Sequence, residues 1–222
     1  MCDLIRCFFF PGDSNGVVFL WKVSEVGTNL SISMDPLLSH SSAVTEIHFS
    51  PILGNLSRAA SASFDGTLHL YHGPTGKILN KTLPTTENAL EKSVACFAFS
   101  PNGELLVSGC DDGACHLWDG FTGAHSSVLK GLSGGIRALD FTKDSQYLAS
   151  AGTEMICIWD VMSKECLTLL PVNDIVMFLQ FSANTSENPA LVCGTYDGLI
   201  HFMELRLYAC RNEQVQSLLV LL

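Results

Sequence analysis

The stretch VSGCDDGACHLWD, Val107 to Asp119, decides how the chain is read. It joins the end of an apolar run to an Asp-Gly turn, a short strand-like segment and a Trp-Asp pair. Asp-Gly between such segments is a hairpin signal, because glycine takes the positive φ that a tight turn demands. Two cysteines, a histidine and several acids also crowd this stretch. Taken alone it invites a chemical site, so the first question is whether it recurs.

It does. Four other segments align on it: SNGVVFLWKV (14–23), SFDGTLHLYH (63–72), GTEMICIWDV (152–161) and YDGLIHFMEL (196–205). The turn is Asn-Gly or Asp-Gly in all but the segment at 152, which has Thr153-Glu154. The strand-ending aromatic or its substitute falls at Trp21, Tyr71, Trp118, Trp159 and Met203, at spacings of 50, 47, 41 and 44 residues. Those spacings are close to the ~40–45 residues of a four-stranded propeller repeat.

Working outward, an apolar strand ending in Phe-Ser or Phe-Thr precedes most of these turns: AVTEIHFSP (43–51), SVACFAFSP (93–101), GIRALDFTK (135–143) and IVMFLQFSA (175–183). Partial alternation at period 2 marks them as strands, and Pro51 and Pro101 end two of them because proline cannot donate to a ladder. A second strand lies between, at RAASAS (58–63), LLVSGC (105–110), YLASAG (147–152) and ALVCGT (190–195). Another follows the aromatic, at KILNKTL (77–83), HSSVLKG (125–131) and KECLTLL (164–170). Four short antiparallel strands per repeat describe a blade that cannot bury both faces alone, so successive blades must stack.

On these residues the chain resembles the WD-repeat β-propeller family over residues 1–205, with two literal Trp-Asp pairs, Trp118-Asp119 and Trp159-Asp160. The resemblance implies an all-β fold of four-stranded antiparallel blades, with repeats near 1–38, 39–84, 85–130, 131–171 and 172–210 and a divergent tail at 206–222. The first repeat lacks an inner strand, since Leu4–Phe10 reads as a second strand and Gly16–Trp21 as a third. The expectation is an incomplete propeller of four full blades and one partial blade, from a truncated form or fragment of a longer propeller, with a closed five-bladed ring as the alternative. Leu205–Cys210 is a candidate last outer strand, and the apolar Val215–Leu222 a candidate added strand, amphipathic helix or unrelated sequence from a truncation.

The family's blades are often tied by a buried tetrad of His, Ser or Thr, Asp and Trp. The second repeat matches best, with His40, Asp65 and Ser63 (Ser61 in a shifted register) and Tyr71 for the Trp. The third has Asp112 and Trp118 with Leu90 at the His position. The fourth has Trp159, with Thr153 for Asp and Leu132 for His, and the fifth has Thr195 and Asp197 with Met203. The resemblance also implies a docking face, where the loop into the first strand and the turn between second and third strands emerge. Mapped by motif, its candidate partner contacts are Thr45, Phe64, Asp111, Arg137, Met177 and Tyr196.

Chemistry beyond binding finds little footing. The sequence has no phosphate loop, dinucleotide fingerprint or Gly-x-Ser-x-Gly elbow. His69, His116 and His201 share one repeat position, but equivalent positions on neighbouring blades sit ~10 Å apart, too far to share a zinc ion, so they read as tolerated strand residues. The nine cysteines include no Cys-x-x-Cys pair and read as buried thiols in a reducing compartment. A net charge of -10 argues against a nucleic-acid backbone or an anionic membrane as partner. The expected function is a non-catalytic, intracellular (cytoplasmic or nuclear) protein–protein interaction scaffold, without cofactor, metal or membrane insertion, inside a larger complex. The alternative is a substrate-recognition subunit that binds a short peptide or modified residue for an enzyme complex.

Overall fold

The computed structural model describes residues 6–10, 14–26, 29–38, 40–82, 93–182 and 189–205. Their strands form antiparallel sheets in which each strand pairs with its neighbour in sequence. The first sheet holds β1 (Arg6–Phe10), β2 (Val17–Val26) and β3 (Asn29–Leu38). The second holds β4 (Val44–Phe49), β5 (Arg58–Ser63), β6 (Leu68–His72) and β7 (Ile78–Thr82). The third holds β8 (Val94–Phe99), β9 (Leu105–Cys110), β10 (Ala114–Asp119) and β11 (His125–Lys130). The fourth holds β12 (Ala138–Phe141), β13 (Tyr147–Ala151), β14 (Met155–Asp160) and β15 (Cys166–Pro171). The fifth holds β16 (Val176–Phe181), β17 (Ala190–Thr195) and β18 (Ile200–Glu204).

Three of the four expected full blades are four-stranded; among the described residues the first sheet lacks an inner strand, as expected, and the fifth has three strands. Its Trp21 strand is longer than the motif suggests and pairs in full with Asn29–Leu38. Leu90, residues 206–210 of the proposed last outer strand and the tail to Leu222 lie outside the described residues.

Local chemistry explains why the same motif folds the same way each time. The Ser or Thr after the Phe caps the hairpin into the second strand. Its hydroxyl oxygen accepts the N–H of Arg58 from Ser50 (3.1 Å), of Leu105 from Ser100 (2.9 Å) and of Tyr147 from Thr142 (3.0 Å). The Asp of Trp-Asp folds the next turn: Asp119 Oδ1 accepts the Phe121 and Thr122 amides at 3.0 and 2.7 Å, and Asp160 Oδ1 accepts the Ser163 amide at 2.7 Å. These are Asx-type turns. Each closes on a residue at positive φ, Gly123 at 70° and Lys164 at 63°.

The core lies between blades. The side of the second blade bearing Ala60, Ala62, Leu68 and Leu70 packs on Val94, Phe97, Leu106 and Trp118 of the third. The third blade's Cys115 and Leu117 pack on Leu148, Cys157 and Trp159 of the fourth. The fourth blade's Ile156 and Ile158 pack on Leu179, Leu191 and Met203 of the fifth. The inner strands β4, β8, β12 and β16 lie side by side in that order. As edge strands they carry N–H groups that no ladder satisfies. Side chains of the preceding blade supply two of the acceptors: Glu46 takes the Phe97 amide at 3.0 Å, and Asp140 takes the Phe181 amide at 2.6 Å.

Candidate functional site

The second blade holds the most developed polar network. His40 Nε2 lies 2.6 Å from Ser61 Oγ, which lies 2.9 Å from the hydroxyl of the buried Tyr71. His40 Nδ1 lies 2.9 Å from Thr67 Oγ1 and 3.5 Å from Asp65 Oδ2. Asp65 accepts the Thr67 hydroxyl at 2.6 Å, the Thr67 amide at 2.9 Å and the Ser41 amide at 2.7 Å. Burial pushes the Asp65 carboxyl up, but these donors outweigh it and hold the pKa at about 2. The His40 ring stacks on His69 at 4.0 Å between centroids. Desolvation lowers both imidazoles, and the His40 and Lys81 charges lower His69 further, to about 3.

The serine of this network is Ser61, the shifted register, and Ser63 does other work. Ser63 Oγ donates to the Ala43 carbonyl and accepts the Asp65 amide, so it holds the turn. The same distinction runs through the later blades. Trp118 Nε1 donates to Ser108 Oγ at 3.0 Å and Trp159 Nε1 to Ser150 Oγ at 2.8 Å. The fifth blade has Cys193 and Met203, both buried, at these positions. Thr195, like Ser63, serves the turn: its hydroxyl donates to Asp197 Oδ1 at 2.6 Å. Asp112 Oδ1 accepts the Ala114 amide at 3.1 Å, a turn role as well.

The histidines at the shared repeat position differ in their surroundings. His69 and His116 are buried and packed against rings, His69 on His40 and His116 on Trp118 and His125, while His201 is half-buried. Among the described residues, no group of three or more His, Cys, Asp or Glu could hold a metal ion. The cysteines also depart in part from the expectation of free buried thiols. Cys96, Cys115 and Cys193 are buried and free and Cys110 is buried, but Cys157 of β14 is paired with Cys166 of β15.

The turn between second and third strands and the loop into the inner strand do emerge together. The amides of Phe64, Asp111 and Tyr196 donate to the carbonyls of Ala43, Ser93 and Ile175 at 3.1, 3.3 and 2.9 Å. A bulge opens each of three inner strands, between Val44 and Glu46, Val94 and Cys96, and Val176 and Phe178. The unpaired residues are Thr45, Ala95 and Met177. Bulges re-aim side chains, and the outcome differs by residue type. Met177 is 57% exposed, whereas the Thr45 hydroxyl turns into the blade junction and donates to the Val94 carbonyl at 3.0 Å. Phe64 and Tyr196 are 55% and 75% exposed. Arg137 pairs with Asp111 across the third and fourth blades, Nη1 to Oδ1 at 3.5 Å, and Asp111 also accepts the Ser93 hydroxyl.

Sequence reading missed the cleft beside this face. The inner strands line a cavity of about 510 Å³ whose walls include Glu46, His48, Arg137, Asp140, Met177 and Phe178. Burial raises the Asp140 carboxyl above its usual range against the pull of the Phe181 and Phe141 amides. The signal available was the polar pair Glu46 and His48 at alternate positions of β4, with Asp140 in β12. Reading it needed the bulge, which fixes which alternate faces the cleft.

Stacked four-stranded antiparallel blades with a Trp–Ser bond in the third and fourth make this a propeller-type repeat protein. Two of its repeats are of the WD type: the family model "WD domain, G-beta repeat" matches residues 80–119 and 123–160. Each matched unit begins at the outer strand of one blade and ends at the Trp-Asp of the next, so it is offset from a division by whole blades. The chain is 25% identical over 216 residues to WD repeat-containing protein 1 of Rattus norvegicus, covering 92% of this chain and 33% of the relative. It is 24% identical over 153 residues to Pre-mRNA-processing factor 19 of Oryza sativa subsp. japonica, covering 69% and 28%. It is 31% identical over 107 residues to the Retinoblastoma-binding protein 5 homolog of Drosophila melanogaster, covering 48% and 22%. The chain thus spans a third or less of the length of these curated relatives. No helix among the described residues is long and apolar enough to cross a membrane.

Proposed function

We propose that this chain is a non-catalytic scaffold that holds protein partners on the loop face, through Phe64, Tyr196, Met177 and the Asp111–Arg137 pair. The observation that carries the reading is the exposure of three large apolar side chains on one loop face, at 55–75%, beside an exposed arginine. Aromatic residues, Met and Arg are the types enriched at interface centres. Thr45 supports the site from the blade junction instead of meeting the partner. The net charge of -10 favours proteins or peptides over nucleic acid. The names of two relatives, a retinoblastoma-binding protein homolog and a pre-mRNA-processing factor, fit an intracellular partner-holding role.

A second reading, recognition of a short peptide for an enzyme complex, is favoured by the cleft. A volume of about 510 Å³ is in the range of a ligand pocket, and Arg137, Glu46 and Asp140 would supply its polar contacts. One experiment addresses both. The tagged chain and its Phe64→Ala, Arg137→Ala, Met177→Ala, Tyr196→Ala combination are used to capture partners from cell extract, with Met162→Ala outside the proposed face as control. The scaffold reading expects partners to be lost from the combination alone. Retention of every partner refutes the loop face. Displacement of all partners by one short peptide selects the recognition reading.

A further inference from the structure

The fifth blade ends in a face that the other described residues leave open. At the third-strand positions that meet the next blade, Leu68 and Leu70, Cys115 and Leu117, and Ile156 and Ile158 are all 0–2% exposed. The equivalent residues of β18, Ile200 and Phe202, are 67% and 65% exposed. The inner-strand position repeats the pattern: Cys96 and Ala138 are 2% and 8% exposed, but their equivalent Phe178 is 53% exposed. Ile200, Phe202 and Phe178 therefore form an apolar sheet face in the register that elsewhere buries a following blade. Apolar patches of this kind mark interaction surfaces.

The chain also carries the complementary face. On β2, Val18 and Leu20 are buried, so Val17 and Phe19 belong to the opposite side, where they are half-buried. Phe19 holds the repeat position of His69, His116 and Cys157, each 0–2% exposed beneath the preceding blade. The first blade has no blade packed before it among the described residues. We propose that a second copy of this chain docks head to tail, its first blade packing through Phe19 and Val17 on the fifth-blade face of Ile200, Phe202 and Phe178. The contact continues the inter-blade packing already made within the chain, and it is separate from the loop face. It is heterologous: each copy presents two different surfaces.

That asymmetry gives the test. Sedimentation velocity of the full chain is followed from low to high micromolar concentration for wild type, F202E and F19E. Wild type is expected to self-associate. Each variant alone is expected to weaken association at least about a hundredfold, because a carboxylate would be buried against apolar side chains. An equimolar mixture of F202E and F19E regains a dimer and goes no further, since one intact face of each kind remains. Far-UV circular dichroism confirms that the variants fold, and Val17→Lys replaces F19E if that one does not. A monomeric wild type overturns the proposal. So does normal association of F19E beside a monomeric F202E, which points to fifth blades meeting each other.

Discussion

The stacked imidazoles of His40 and His69 make the second blade sensitive to acid. His69 is nearly inaccessible, its Nδ1 has no hydrogen-bond partner, and a charge on it faces His40 and Lys81 with only Asp65 in compensation. Its pKa therefore falls from 6.5 to about 3 on folding. Between those values the unfolded chain binds the proton and the folded chain does not, so stability falls as pH falls. The contribution is present in full above pH 6.5, declines below it, and levels off near pH 3. At about 1.4 kcal/mol for each tenfold change in proton activity, His69 alone removes about 2 kcal/mol by pH 5. His40, lowered in the same direction, adds to the loss. For a chain of this size about 2 kcal/mol corresponds to a fall in thermal midpoint of roughly 4–8 °C. Asp65, at about 2, acts in a separate window: its contribution is present above pH 3.8 and is lost as pH falls through 2. The perturbation is His69→Phe, which installs the residue found at the same repeat position in the first blade, Phe19. Thermal unfolding from pH 7 to pH 4 is expected to show a shallower decline for the variant, with the wild-type slope restored only in the part owed to His40. Parallel declines for the two proteins would refute the argument.

Two smaller perturbations test the blade chemistry. Ser150→Ala leaves the buried Trp159 Nε1 without its 2.8 Å acceptor; a loss of about 1–3 kcal/mol in chemical denaturation is expected, and one below about 0.5 kcal/mol would rule out the bond as a fastener. Lys164 adopts the positive φ of 63° that glycine supplies at Gly76 and Gly123, so Lys164→Gly is expected to raise stability by up to about 1 kcal/mol, read as a higher thermal midpoint.

Much of the fold was legible because its signals are local. An Asx turn, a hydroxyl that caps a hairpin and a period-2 apolar run each act within a few residues, and Val107–Asp119 contains most of them. The site was less legible because it depends on register. Ser61 and Ser63 share a face of β5, and period 2 cannot separate them. What separates them is the pairing of Ser61 with His69, which places its hydroxyl diagonally beneath Tyr71. Similarly, Cys157 and Cys166 are nine residues apart and become neighbours through the hairpin bulge between Ile158 and Trp159. A bulge at the same place precedes Tyr71 and Trp118, so it belongs to the repeat although no residue type announces it.

The inner-strand bulges carry the same lesson into function. They lift one residue out of the ladder at the mouth of the cleft, and the identity of that residue then decides its use. Thr45, with a short hydroxyl, bonds back to the neighbouring blade. Met177, with no strong donor, stays out in solvent beside Arg137. One backbone device thus yields a fastener in the second blade and a solvent-exposed apolar side chain in the fifth. Exchanging them, as Thr45→Met with Met177→Thr, moves the apolar contact from the last blade to the first full one. If the loop face selects partners through Met177, the exchanged protein keeps its fold and loses those partners in the capture experiment. If partners bind elsewhere, the exchange leaves capture unchanged, and the bulges are structural only.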